Sequence, residues 1–349
     1  MLRRCLLLLA FSLLPALADA QPLPALQEVS VISSLDGEHQ PVRYWAPADA
    51  KQKPTVLFVF LHSWSSDYRQ DNSKWLKHAV QHSWIFLHPN FRGANLSPKA
   101  CGSKWARQDV LDAMNWASEE FQIDDRRVYL CGVSGGGHMA MLMAGHHPDR
   151  FSAVSAWVGI SDLADWYRFH LKDGKPQRYA QMILKCFGQP PGFSKAVDDD
   201  YKDRSPLFHL HQTGDLPIDI WAGVNDGHSG SVPVSHSLKA FNRIAETRGA
   251  DPVTDDEMQQ LWTNRKLDQP QASDLATDAV LGRKLLLRRT AGPARVTIFD
   301  GGHESVPAAA VDWLQQHQRP TEIGKADVES SPDGSEVDAK QTETKQVGP

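Results

Sequence analysis

The sequence predicts an α/β domain built on a doubly wound, mostly parallel sheet with an inserted cap-like segment. Three observations lead there. Apolar runs of strand length recur along the chain. Several of them are continuous rather than alternating, as Val56–Leu61 is, which is the condition of strands covered on both faces. Segments with helical spacing separate them, and strand–helix alternation requires crossovers onto the faces of a parallel sheet.

Taken in order, Val29–Ser33 and Val42–Trp45 are short strands, and Asp36-Gly37 between them signals a turn, so the domain opens on a hairpin. Val56–Leu61 and Trp84–Leu87 follow as strands. Residues 104–121 carry Val110, Leu111, Met114, Trp116 and Ala117 at helical spacing. Val128–Cys131 is the next strand, and residues 136–146 form a helix of small residues. Phe151–Val158 and Ile218–Ala222 are strands, 233–248 a helix, Val296–Phe299 the last strand and 305–317 the last helix. Residues 161–215, rich in aromatic and polar side chains, are expected as a cap-like insertion over the C-terminal edge of the sheet. Residues 250–290 are a second excursion with helical character. Residues 320–349 hold almost no large apolar side chain and are expected to be a disordered polar tail.

Composition narrows the function. The chain has 349 residues, 41% hydrophobic and 23% charged, which is globular, and its formal net charge of −5 argues against a nucleic-acid partner. Arg3 and Arg4 precede an apolar run, Leu6–Leu14, and Ala18-Asp19-Ala20 supplies the small residues of a cleavage site. This is the pattern of a secretory signal peptide over residues 1–20, leaving residues 21–319 as the catalytic domain. The run is shorter than the roughly 20 residues of a spanning helix, so no membrane association is expected after cleavage. Export to periplasm or medium means an oxidising compartment. Of 4 cysteines, Cys101, Cys131 and Cys186 would remain. Cys131 ends a strand, whereas Cys101 and Cys186 lie in loop-like sequence and are the better disulfide pair.

The chemistry-bearing motif is Gly132-Val133-Ser134-Gly135-Gly136, a G-x-S-x-G placed between a strand and a helix. Ser134 must sit on a sharp, strained turn to lift its hydroxyl above the sheet. A side chain at Gly132 or Gly136 would collide with the adjoining strand or helix. The Gly135 N–H then faces the place where an oxyanion would develop. A serine hydroxyl is a weak nucleophile and needs a base, itself oriented by a carboxylate. In this setting the partners follow in the order serine, acid, histidine. His303 in Gly301-Gly302-His303-Glu304 leaves the last strand and is the expected base. Asp226, in the exit loop of Ile218–Ala222, is the expected acid. Asp219 competes but lies inside the strand, and His228 competes but lies too near Asp226. The second oxyanion donor is expected from the loop after Val56–Leu61, as the N–H of Ser63 or Trp64.

These residues resemble the prolyl-oligopeptidase-like α/β-hydrolases, the group holding serine peptidases of the dipeptidyl- and acylaminoacyl-peptidase kind with related esterases. The resemblance covers roughly residues 40–317. It rests on His62-Ser63-Trp64, His88-Pro89-Asn90-Phe91-Arg92-Gly93, Gly132 to Gly136, Ser205-Pro206, Gly223-x-x-Asp226, Val232-Pro233 and Gly302-His303. It implies the α/β-hydrolase fold and a serine hydrolase that is a peptidase or an esterase. Three departures stand out. His62-Ser63-Trp64 replaces the family's frequent His-Gly-Gly. Five residues, Gly227 to Ser231, separate Asp226 from Val232-Pro233, more than is usual. About 35 residues between the leader and the core leave no room for a propeller, which points to an open site.

Trp64, Trp157 and Trp166, with Trp105, are among 11 tryptophans and stand near the predicted site. They are candidate platforms for a sugar ring or aromatic acyl group. The expected substrate is a small ester, an acylated carbohydrate or a short peptide, cleaved through an acyl-enzyme. Triad chemistry needs no cofactor, and no H-E-x-x-H or C-x-x-C spacing calls for a metal. The alternative is a non-catalytic carbohydrate-binding protein on a hydrolase fold. Oligomeric state is not legible.

Overall fold

The computed structural model describes residues 22–320. The leader expected at 1–20 and the tail expected beyond residue 320 lie outside the described residues. Nine strands form one sheet: β1 (Gln27–Ile32), β2 (His39–Trp45), β3 (Thr55–Leu61), β4 (Ile85–Pro89), β5 (Ile123–Val133), β6 (Ala153–Trp157), β9 (Ile218–Gly223), β10 (Leu285–Ala291) and β11 (Ala294–Phe299). Their order is β1-β2-β4-β3-β5-β6-β9-β11-β10. The six strands from β4 to β11 are mutually parallel, and the ends of the sheet are closed by antiparallel pairing of β1 with β2, β2 with β4 and β10 with β11. This is the mostly parallel sheet that the alternation implied, in the α/β-hydrolase arrangement that the resemblance implied.

Burial explains the order. All seven residues of β3 are buried, as are all those of β4, β6 and β9. A strand hydrophobic on both faces must lie inside the sheet between two layers of helix. The edge strand β1 alternates instead and is half solvated. Phe58, Phe60, Trp75, Trp84 and Phe86 make one aromatic nest under β3 and β4. Helix α3 (Gly135–His146) lies on β5 and β6 and is buried almost from end to end. Helix α7 (Ser235–Thr247) covers β9 and β11, and α9 (Pro307–Leu314) meets α1 (Ser73–Gln81).

Two elements escaped the sequence reading. Helix α1 carries its buried face on Trp75, Leu76 and Ala79 between lysines and histidines, too few apolar positions to stand out. Strand β10 lies inside the excursion at 250–290. Its inward positions are Leu285, Leu287, Arg289 and Ala291, and the arginine breaks the apolar alternation. Arg289 is buried because Asp274 and Glu257 neutralise it, Glu257 at 2.7 Å from the first turn of α8 (Asp255–Asn264). The 161–215 insertion folds as α4 (Leu163–Phe169), a two-rung hairpin of β7 (Leu171–Lys172) and β8 (Lys175–Pro176), α5 (Arg178–Phe187) and α6 (Lys195–Asp203). It owns a second apolar cluster that includes Leu163, Trp166, Ile183 and Tyr201 and takes in Trp64 and Val232 from the main domain.

Replacing Arg289 with leucine should cost about 3–5 kcal/mol, because Asp274 would be left as a buried, uncompensated carboxylate. Denaturant unfolding checks this, and Arg289→Leu combined with Asp274→Asn should recover part of the loss. A loss below about 1 kcal/mol for the single change would contradict the pairing.

Candidate active site

The site begins with a backbone conformation that side-chain-bearing residues rarely adopt. Strand β5 stops at Val133, and Ser134 turns at φ +60° and ψ −117° into α3. A non-glycine residue in such a region costs on the order of 1–3 kcal/mol and needs the surroundings to hold it. Here the Ser134 N–H donates to Trp157 O on β6 at 2.8 Å, and Ser134 O accepts from the His138 N–H at 2.9 Å. A Cβ on Gly132 would stand 2.1 Å from Gly136 O, and one on Gly136 2.2 Å from Leu61 O. One on Gly135 would stand 2.3 Å from the Trp64 nitrogen. The elbow, the start of α3 and the loop after β3 are therefore in backbone contact.

That contact sets side by side the amides of Trp64 and Gly135. Neither N–H donates to an acceptor among the described residues. Gly135 is in the first helical turn, where amides have no intrahelical partner. Of the two alternatives for the second donor, Ser63 is excluded: its N–H donates to Gln70 Oε1 at 2.8 Å. Gln70 in turn donates to Asn72 Oδ1 at 2.8 Å, Asn72 Nδ2 to His88 Nε2 at 2.9 Å, and His88 Nδ1–H to Phe60 O at 2.7 Å. Burial pushes His88 down to about 3, so it stays neutral and this assignment of its proton holds. His62 stacks on Phe91 with ring centroids 3.8 Å apart. Gln70 carried no recognisable signal in the sequence.

Asp226 and His303 leave neighbouring strands. Asp226 follows β9 and is fully buried; its Oδ1 accepts from the N–H of Gly227 at 2.9 Å and of Val232 at 3.0 Å. Its Oδ2 accepts from His303 Nδ1–H at 2.7 Å. The long Gly227–Ser231 spacing, a departure from the family pattern, is the lasso whose end returns to hold the carboxylate. The chain after β11 folds back over the end of β9: Asn225 N–H donates to Gly301 O at 2.9 Å, and a Cβ on Gly223 would meet Gly302 O at 2.3 Å. This return carries His303 toward β6 and β5. The His303 side chain is 26% exposed and Ser134 is partly exposed, so both are open to a substrate. Ser134 Oγ and His303 Nε2 are not hydrogen-bonded in this conformation; such bonds are often long before substrate binds. Gly230 is the residue the sequence reading missed here, since a Cβ would lie 2.1 Å from Asp226 Oδ1 and 2.7 Å from His303 Cβ.

The competitors have other partners. Asp219 is buried within β9, pairs with Arg295 at 2.6 Å and accepts from the Trp221 indole. Burial raises its pKa against the pull of Arg295. His228 stacks on Trp262 at 3.9 Å.

The tryptophan platforms are corrected by the structure. Trp157, Trp166 and Trp64 are 0%, 1% and 2% exposed. Trp157 stacks on Trp221 at 4.6 Å in the sheet core and donates to Ser155 Oγ. Trp166 stands edge-on to Trp64 at 4.6 Å and donates to Ser231 O at 2.7 Å, tying the insertion to the acid loop. Their task is packing. Trp105 is half-buried. Cys101 and Cys186 share one buried cluster and are unbonded in this conformation, as is Cys131. A cavity of about 470 Å³ is lined by Asp165, Phe169, Lys239, Met258 and Trp262 and is not lined by Ser134, Asp226 or His303. His146, Asp203 and His209 place potential ligand atoms within 4.8 Å of one another, with Asp203 already paired to Arg107 at 3.1 Å. No helix among the described residues is long and apolar enough to cross a membrane.

Sheet order and strand-end loops define the class: an α/β-hydrolase with a serine elbow, a histidine and an aspartate at one edge of its sheet. Within that class the chain is similar to the prolyl oligopeptidase family. The model of the prolyl oligopeptidase family matches residues 99–260. Acylamino-acid-releasing enzyme 1 of Oryza sativa subsp. japonica is 26% identical over 218 residues, 57% of this chain and 26% of its own length. Acetylxylan esterase of Coprinopsis cinerea is 25% identical over 134 residues, 34% of each chain. The acylaminoacyl peptidase of Pyrococcus horikoshii superposes with a TM-score of 0.55 at 16% identity, covering 84% of this chain and 40% of its own. The match thus spans about a quarter of the length of the rice enzyme.

Two outcomes follow from this geometry. Gly230→Ala should lower kcat by about 10²-fold by displacing the acid from the base, while the melting temperature moves by only a few degrees; unchanged kcat would refute the close approach. Burial lowers His88 to about 3, His138 to about 4 and His236 to about 3. The unfolded chain, with histidine near 6.5, binds these protons first. Stability should therefore be full above pH 6.5 and fall as the pH drops toward 4, by about 1.4 kcal/mol per pH unit for each imidazole. Urea unfolding between pH 7 and 5 measures it, and a flat profile would contradict the neutral buried histidines.

Proposed function

We propose that the chain is an exported serine hydrolase that cleaves a carboxylic ester or short peptide through an acyl-enzyme. The observation that carries this is the 2.7 Å bond from Asp226 to His303, made over the same sheet edge at which Ser134 is lifted on its strained turn. Asp226 fixes the tautomer that leaves His303 Nε2 as base and stabilises the imidazolium. Ser134 attacks the acyl carbonyl. The Gly135 and Trp64 amides hold the oxyanion, and water activated by His303 then frees the enzyme.

The leaving group is an alcohol or an amine. Similarity to a peptidase and to an acetylxylan esterase supports both, so small esters, acylated carbohydrates and short peptides are the substrate classes to test. Export is proposed from the Arg3-Arg4, Leu6–Leu14 and Ala18–Ala20 pattern. A carbohydrate-binding role resting on exposed tryptophans has no support from Trp157 and Trp166, which are buried.

A fluorophosphonate probe should label the wild type and not Ser134→Ala, and hydrolysis should fall by about 10⁴-fold or more in the variant. Equal labelling would refute the enzyme reading. Initial rates on p-nitrophenyl acetate, p-nitrophenyl butyrate and short peptide anilides then separate esterase from peptidase.

A further inference from the structure

We infer that Cys101 and Cys186 close into a disulfide that staples the inserted segment to the loop before helix α2 (Lys104–Glu120). The two cysteines belong to one buried cluster although they are 85 positions apart in sequence, and they are 1% and 2% exposed. Each sits on a constrained backbone. Cys101 turns at φ +55°, with its N–H donating to Asn95 Oδ1 at 2.7 Å. Cys186 is in the last turn of α5. Arg204, at the end of α6, closes the triangle by donating to Pro98 O at 3.0 Å and Ala100 O at 3.3 Å, while its guanidinium lies over Phe187 at 4.7 Å. The loop, α5 and α6 therefore meet at one sulfur pair. Cys131 differs: it lies within β5, touches Ser155, and has no thiol beside it among the described residues.

The chemistry is thiol–disulfide exchange with a small-molecule disulfide such as oxidised glutathione. Written in one of its two equivalent orders, the Cys186 thiolate attacks first. It displaces one thiol and forms a mixed disulfide. The Cys101 thiolate then attacks that sulfur and displaces the second. One external disulfide becomes two thiols, which carry away both protons, and two protein thiols become one cystine. Because both groups are buried, closure belongs to folding, before the insertion settles on the loop.

The reduced, unfolded full chain is refolded in reduced and oxidised glutathione, alkylated under denaturing conditions, digested without reductant and mapped by mass spectrometry. A linked peptide joining Cys101 to Cys186, with Cys131 alkylated, is expected. Dithiothreitol should lower the melting temperature by roughly 5–10 °C, and Cys101→Ser or Cys186→Ser should melt at the lower temperature with no response to reductant. Alkylation of both cysteines in the refolded wild type would overturn the proposal, as would a link through Cys131 or a melting temperature indifferent to dithiothreitol. The mapping uses the wild type alone, so it decides even where a variant does not fold.

Discussion

The constraint on which the site depends is backbone contact without side chains at the end of β5. Gly132, Gly135 and Gly136 let the elbow, helix α3 and the loop after β3 approach to distances that any Cβ would forbid, 2.1 to 2.3 Å from the facing backbone. From that contact follow the positive φ of Ser134, the pairing of the Trp64 and Gly135 amides and the burial of α3. A side chain at any of these positions would prise α3 off the sheet. The strain of one residue is thus held by the packing of a whole helix, which is how a costly conformation persists.

Around the elbow, charge and polarity are arranged by hydrogen-bonded networks. Asp226 has three donors, and none of them is water-dependent. The relay from Ser63 through Gln70, Asn72 and His88 to Phe60 leaves the Trp64 amide as the free one. Buried networks of this kind are stiff because any rearrangement strands a polar group. The insertion then presses on the same two loops, through Trp64 against Trp166 and through Trp166 and His170 bonding to Ser231 O. Its role near the site is mechanical, and the tryptophans serve it from the inside.

Much of this was legible in the sequence. The alternation of apolar runs announced the parallel sheet, and the glycines around Ser134 announced the elbow, because strand-to-helix reversal at a serine tolerates few alternatives. Asp226 and His303 followed from their place after β9 and β11. What stayed hidden depended on tertiary neighbours. Arg289 disguised β10, since an inward arginine is intelligible only beside Asp274 and Glu257. Trp157 and Trp166 gave no sign of facing the core rather than a pocket, because an aromatic ring suits both. The choice between Ser63 and Trp64 rested on Gln70, whose side chain reaches back seven positions to the Ser63 amide.

The central claim is that Ser134 reacts into a pocket whose oxyanion donors are the Gly135 and Trp64 amides. A crystal structure of the covalent phosphonate adduct tests it most directly. The account predicts a phosphorus–Oγ bond at Ser134, with one phosphonyl oxygen about 3 Å from both amide nitrogens and His303 Nε2 turned toward Oγ. An adduct whose phosphonyl oxygen instead meets the Ser63 amide, or one formed on another residue, would contradict it.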